Sequence, residues 1–234
     1  MSKVILITGS RKGIGRHLSE YYLQKGFTVI GCSRSITDLL HKNYHHYTLD
    51  VADEKAVGSL VKDVSKQFGG IDALLNNAGI ASMNHLVLTP LSTVKSIFET
   101  NFFGTFIFVR EVSKVMMKKK QGRIVNFVSV ASPLRLEGEA AYASSKTAVL
   151  SFTEIAAKEL GPFGITVNAI GPTPVQTDLI RTLPKEKIDD LIKVQAIKRL
   201  GTFEDISNVI DFFIDERSSF ITGQIIYLGG VHSY

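Results

Sequence analysis

Two side chains four residues apart, Tyr142 and Lys146, have the types and spacing to move a proton. They fall in a helical stretch, where that spacing puts both on one face. Free tyrosine titrates near ~10 and lysine near ~10.4. An adjacent ammonium favours tyrosinate and draws the phenol down, toward the range where it trades a proton with an alcohol or carbonyl oxygen. The spacing alone is weak evidence, because Tyr21 and Lys25 form a second Y-x-x-x-K in the first helical stretch. That second pair reads as a surface or packing pair. Ser129 sets the Tyr142 pair apart. It lies thirteen residues earlier, at the end of an apolar strand, where a hydroxyl can bond a substrate oxygen. Alone that serine reads as structural; beside Tyr142 and Lys146 it reads as functional.

A second set of residues suits an anion. Thr8-Gly9-Ser10-Arg11-Lys12-Gly13-Ile14-Gly15 joins the first apolar run to the first helical stretch. Glycines there let the chain turn tightly and let its backbone approach a pyrophosphate. The helix that follows offers free N–H groups and the positive end of its dipole. The spacing is G-x-x-x-G-x-G, not the G-x-G-x-x-G of the usual dinucleotide fingerprint. Plain turn chemistry is the alternative reading.

Both sets need a frame that brings them together. Apolar runs at Val4–Thr8, Thr28–Cys32, Tyr44–Leu49, Ile71–Leu75, Arg123–Ser129, Thr166–Ile170 and Gln224–Leu228 read as strands. Helical stretches at Gly13–Gln24, Lys55–Phe68, Val94–Met117 and Ala140–Leu160 lie between them. Fully apolar strands alternating with helices predict a parallel sheet covered on both faces. The expected fold is α/β, a single Rossmann-type doubly wound sheet of about seven strands with helices on both faces. Residues 1–234 read as one domain, with no linker, repeat or low-complexity tract. The irregular insertion at Pro172–Arg199 follows a strand's carboxyl end, where open α/β sheets place ligands, and is expected to form a substrate lid.

Composition narrows the classes. With 44% hydrophobic residues in 234, the chain is too apolar for disorder. One cysteine, Cys32, excludes a disulfide framework, and the histidines lack metal-ligand spacing, so no metal is expected. No apolar run is long enough to span a membrane, and Met1-Ser2-Lys3 leads straight into a short strand rather than a signal peptide. A cytoplasmic location is expected. The net charge of +5 is mostly dispersed, and its densest run, Lys118-Lys119-Lys120 with Arg123, reads first as a solvated helix end. No nucleic-acid signature accompanies it.

These motifs resemble those of the short-chain dehydrogenase/reductase family along essentially the whole chain. The resemblance implies a nicotinamide cofactor and a catalytic set. Tyr142 would be the acid/base. Lys146 would lower its pKa and hold the nicotinamide ribose. Ser129 would orient the substrate carbonyl. Asn101 would support a water-linked relay to the lysine. Cofactor contacts implied are Gly9, Ser10, Arg11, Lys12, Gly13, Ile14 and Gly15 in the turn, and Ser33 and Arg34 after the second strand. They continue with Asp50 and Val51, with Asn77, Ala78 and Gly79 of the motif Asn76-Asn77-Ala78-Gly79, with Tyr142 and Lys146, and with Pro172, Thr173, Val175 and Thr177. An acid after the second strand would bind a ribose 2′-OH, whereas cations suit a 2′-phosphate. Here Arg34 and Lys12 stand at that place and no acid occurs before Asp38, so NADPH/NADP+ is the expected cofactor.

The chain departs from the family pattern in places. Thr173 and Pro174 follow Pro172 where a glycine is usual, which stiffens the loop. Gly229-Gly230-Val231 replaces aspartate-glycine-glycine near the C-terminus. Within the family the sequence is most similar to 3-oxoacyl-[acyl-carrier-protein] reductases. That implies a small-molecule carbonyl substrate carried on an acyl carrier protein, with Lys118–Lys120 and Arg123 as a docking patch. Sugar, polyol or secondary-metabolite ketoreductases share the same motifs, and a non-catalytic nucleotide-binding scaffold is the alternative of another class. The helices at Val94–Met117 and Ala140–Leu160 resemble the family's pairing helices and imply a homodimer or homotetramer. Neither a nucleic-acid nor a membrane partner is expected.

Overall fold

Seven short strands, each flanked by helices, assemble into one parallel sheet in the order β3-β2-β1-β4-β5-β6-β7. The structure, a computed structural model, describes residues 2–175 and 185–231. The strands are β1 (Val4–Thr8), β2 (Thr28–Ser33), β3 (Tyr44–Thr48), β4 (Ala73–Asn76), β5 (Gly122–Phe127), β6 (Ile165–Gly171) and β7 (Ile225–Tyr227). The helices are α1 (Gly13–Gln24), α2 (Glu54–Phe68), α3 (Leu91–Phe98), α4 (Gly104–Lys119), α5 (Ala131–Leu134), α6 (Ala140–Leu160), α7 (Lys185–Val194) and α8 (Phe203–Ile214).

The pleat sorts alternate residues to opposite faces. Leu6, Ile30, Leu74, Ile124 and Val167 form one core with α2, α4 and α6. Ile5, Ile7, Val29, Leu75, Val125 and Ile170 form the other with α1 and α8. The expected doubly wound sheet is therefore present, with strand order reversing between β1 and β4. That reversal opens a crevice at the carboxyl ends of the strands.

Three features differ from expectation. The stretch Val94–Met117 is not one helix. α3 and α4 are joined by a single π-helical turn, Glu99–Phe103, with Asn101 buried inside it. α8 was not expected, although its start carries a capping box: the Thr202 side chain accepts from Asp205 N while the Asp205 carboxylate accepts from Thr202 N. Finally, Arg123 does not belong to a surface patch. It is 7% exposed, and its guanidinium donates to the backbone oxygens of Gly122, Asp215 and Glu216. The lysines at 118–120 end α4 and precede the start of β5. Phe127, at the other end of β5, lines the crevice, so the patch lies one strand length away, about 17 Å. Arg123 therefore drops out of the expected docking patch, and Lys118, Lys119 and Lys120 lie at the far end of β5 from the crevice.

Tyr21 and Lys25, the second Y-x-x-x-K, hold helices together, as a packing pair should. Tyr21 Oη donates to Asp211 Oδ2 at 2.6 Å, Tyr22 Oη donates to Asp211 Oδ1 at 3.1 Å, and Lys25 pairs with the same carboxylate. Asp211 on α8 thus clamps α1. Burial pushes the Tyr22 phenol far above its usual range, and the Asp211 charge adds to it, so that hydroxyl stays a donor. We predict that Asp211→Ala lowers stability by about 1–3 kcal/mol, because Tyr22 Oη is left buried without its acceptor. Denaturant unfolding should show this with the α/β circular-dichroism spectrum unchanged; an unaltered midpoint would contradict the clamp.

Candidate active site

A cleft of about 660 Å³ opens at the carboxyl ends of the strands, beside the strand-order reversal. Its floor is the glycine turn. Gly9 has φ +69°, and a Cβ there would come 2.9 Å from Ala78 Cα. A Cβ on Gly15 would lie 2.3 Å from Gly9 O and 2.5 Å from Asn77 Nδ2. Asn77 Nδ2 donates to Thr8 O at 2.9 Å, and Ala78 N donates to Thr8 Oγ1 at 2.9 Å. The motif after β4 therefore pins the turn from below. One residue back, Asn76 Nδ2 donates to Asn126 Oδ1 at 2.8 Å, and Asn126 Nδ2 donates to Thr153 Oγ1 at 2.9 Å. These bonds tie β4 to β5 and β5 to α6 beneath the cleft.

The end of the cleft beside β2 is cationic. Arg11, Lys12 and Arg34 line the cleft, and none has a salt bridge among the described residues. The first acid after β2, Asp38, is held by Arg16, whose hydrogen bond keeps its carboxyl below the usual range. Asp50 and Val51 close this end, with Asp50 Oδ1 accepting from Ala52 N at 3.0 Å. Ser33 and Ala78 line the cleft as well, and Gly79 lines it nearer Lys146.

At the other end, α6 brings Tyr142 and Lys146 to the cleft, and the segment after β5 brings Ser129. Lys146 is 4% exposed, and its Nζ donates to Phe127 O at 2.8 Å. Burial lowers its pKa to about 8. Tyr142 runs opposite to expectation. Desolvation pushes its phenol up to about 12, the Ser129 hydrogen bond works against this, and the Glu139 charge adds to it. The Lys146 ammonium is 6.0 Å from the Tyr142 ring centroid and does not reverse the rise. Tyr142 is thus a protonated donor at neutral pH.

Most implied site residues line this one cleft, Pro172, Thr173 and Val175 included. Three do not reach it. Ser10 is fully buried and turned toward Tyr44 Oη at 3.0 Å. Gly15 packs under the turn. Asn101 sits behind the wall: Oδ1 accepts from Ile80 N at 2.9 Å, and Nδ2 donates to Ile80 O and Ser145 Oγ at 3.0 Å each. A Cβ on Gly79 would lie 3.3 Å from Asn101 Oδ1 and 3.4 Å from Lys146 Nζ, so only a narrow gap separates the two. Thr177 lies outside the described residues, as does part of the expected lid. Within the lid, Leu191 of α7 faces the cleft, and Val175 bridges to Gly201 at its root. Sequence reasoning missed Ile80, Leu136 and Glu139 in the cleft wall. Glu139 had a signal, since it precedes Tyr142 by three and shares its helical face. Among the described residues no cluster could hold a metal ion, and no helix is long and apolar enough to cross a membrane.

The sequence profile described as short chain dehydrogenase matches residues 3–188. The chain belongs to the short-chain dehydrogenase family. Members of this family bind a nicotinamide cofactor and act as oxidoreductases. Among its relatives, the 3-oxoacyl-[acyl-carrier-protein] reductase of Vibrio cholerae is 33% identical, over 97% of this chain and 96% of that one. The Escherichia coli K12 protein of the same name is 32% identical over the same shares. Among solved members, ElxO with NADP bound is 31% identical with a TM-score of 0.90, covering 98% of each chain. The 4-hydroxyisoleucine dehydrogenase complexed with NADH is 29% identical with a TM-score of 0.88, covering 100% of each. Members this alike in fold hold different nicotinamides, so the choice rests on local residues.

The lysine's burial gives a signed prediction. The unfolded chain holds the Lys146 proton up to about pH 10.5, and the folded one only to about 8. Stability therefore rises with pH across that window, and below it the penalty is on the order of 3 kcal/mol. Lys146→Met removes the penalty, less the lost hydrogen bond to Phe127 O. Its melting temperature should exceed that of the wild type at pH 7, and the gap should shrink toward pH 10.5. A constant gap would contradict a buried, depressed lysine.

Proposed function

We propose that this short-chain dehydrogenase is an NADPH-dependent reductase that turns a substrate carbonyl into a secondary alcohol. The observation that carries this reading is the gathering of Ser129, Tyr142 and Lys146 in one cleft with the glycine turn. The residues fit the cofactor: Gly9 and Gly13 hold the turn at positive φ at the head of α1, and Arg11, Lys12 and Arg34, which form no salt bridge among the described residues, line the same cleft. Arg34 and Lys12 would hold the 2′-phosphate, with Asp38 already taken by Arg16. Bound there, the cofactor supplies a hydride to the carbonyl carbon.

The chain's own residues manage the oxygen. Ser129 Oγ–H bonds the carbonyl oxygen and stabilises the charge that develops on it. Tyr142 Oη–H gives that oxygen its proton, a role suited to a phenol pushed up to about 12. The Lys146 ammonium then stabilises the tyrosinate and returns a proton to it. Asn101 acts from behind the wall, holding the Ile80 backbone and Ser145 so that α6 keeps its placement. A phenol that stays protonated favours reduction over oxidation.

In this reading residues 1–234 act as one domain, and 172–199 cover the substrate. A 3-oxoacyl thioester is the first substrate to test, by likeness to the acyl-carrier-protein reductases. Exposed Phe103 and Phe106 on the π-turn and α4, with Ile155 on α6, support pairing of two or four copies.

Tyr142→Phe should abolish acetoacetyl-thioester reduction while NADPH still quenches and binds as in the wild type. Undiminished turnover would refute the proton donor. Arg34→Ala should weaken NADPH about 10–100-fold and leave NADH unchanged, since a charge-assisted hydrogen bond contributes ~1.5–3 kcal/mol. Equal loss for both nucleotides would refute the 2′-phosphate role.

A further inference from the structure

On the α1 side of β2 and β3 runs a line of hydrogen bonds that the proton chemistry does not use. Tyr44 Oη lies 3.0 Å from Ser10 Oγ and 3.0 Å from His46 Nδ1. His46 Nε2 lies 3.0 Å from Ser35 O and 3.2 Å from Ser33 Oγ. Ser33 Oγ donates to Ser35 O at 2.7 Å. The direction of the line follows from its last member. A carbonyl only accepts, so His46 Nε2 carries the hydrogen, and Nδ1 accepts from Tyr44. Tyr44 Oη then accepts from Ser10. One end of the line is inside the phosphate turn, and the other is the loop that carries Arg34.

The strands are built for this line. Tyr44 and His46 are two apart on β3 and share a face, as do Gly31 and Ser33 on β2, and Gly31 pairs with His46 in register. A Cβ on Gly31 would lie 2.2 Å from Tyr44 Oη and 2.4 Å from Ser10 Oγ. Glycine is needed there for space. Ser10 is fully buried and Tyr44 is 9% exposed, so their hydroxyls depend on each other rather than on water.

We infer that His46 and Tyr44 are positioning residues that lock the Ser33–Ser35 loop to the phosphate turn and thereby set the preference for a 2′-phosphorylated nucleotide. The inference rests on reading the cleft as an NADPH site. Arg34 is an exposed side chain on a loop, and a loop ordered only on binding weakens affinity by the entropy of ordering it. His46 removes that loss by holding the residues on both sides of Arg34 beforehand. NADH, which lacks the 2′-phosphate, gains nothing from a preset Arg34.

The test is a fluorescence titration of NADPH and NADH, separately, on wild type, His46→Leu, His46→Gln and Tyr44→Phe. His46→Leu should weaken NADPH about tenfold and leave NADH within about twofold. His46→Gln, whose amide can donate to Ser35 O, should keep most of the preference. Tyr44→Phe, which deletes one oxygen and keeps the ring, should lower the NADPH-to-NADH ratio in the same direction and serves if His46→Leu fails to fold. A purely structural role would weaken both nucleotides together and gain no rescue from glutamine; that outcome overturns the inference. So does an unchanged ratio in His46→Leu and Tyr44→Phe, with the NADPH reading still standing. Equal binding of both nucleotides to the wild type would instead sink the cofactor reading, and this inference with it.

Discussion

Keeping the Lys146 ammonium out of water is the constraint around which the cleft is arranged. A buried charge opposes folding unless something answers it. Here one backbone oxygen does, that of Phe127 at the end of β5, and burial draws the lysine down to about 8. The neighbouring elements follow from that placement. α6 must run along the sheet so that Lys146 reaches the strand end and Tyr142, one turn earlier, stands beside Ser129. The π-turn must widen the helix between α3 and α4 so that Asn101 can brace Ile80 and Ser145. A π-turn costs helical regularity and recurs at functional sites for this reason. The same low-polarity surroundings that depress the lysine raise the tyrosine, so both groups lean toward their neutral forms.

The two ends of the cleft use opposite physics. At one end Lys146 is buried beside Phe127 O, Tyr142 stands next to Ser129, and burial moves both groups toward their neutral forms. The other end is cationic: Arg11, Lys12 and Arg34 line it on short loops and form no salt bridge among the described residues. What joins them is the strand-order reversal, which sets β1 and β4 side by side and lets Asn77 hold the glycine turn. On the cationic side, hydrogen bonds between His46 and both Ser33 and Ser35, and between Tyr44 and both His46 and Ser10, link the loop after β2 to the glycine turn.

Much of this was legible in the residues. The central strands were legible because β1 and β4, covered on both faces, are almost wholly apolar, whereas β3 at the sheet edge is polar. The glycine turn, Ser129, Tyr142 and Lys146 were legible because each has a spacing set by backbone geometry. What escaped needed tertiary knowledge. Arg123 counted as surface charge, yet three backbone oxygens draw it inside. Tyr142 was expected to be pulled down by its lysine, but burial of the phenol, with the Glu139 charge beside it, raises it instead. α8 was hidden by the irregular segment before it, although Thr202 and Asp205 announced its start. His46 lay in a polar strand with no metal partner; its meaning depends on Ser33 and Ser35, which reach it only once β2 and β3 pair.

The most direct measurement is a pH titration of the Lys146 ε-methylene by heteronuclear NMR, assigned with the Lys146→Met variant. A midpoint near about 8 is the expected result. A midpoint at the ordinary lysine value, about 10.4, would mean that the ammonium is solvated, and would contradict a cleft arranged around a buried lysine.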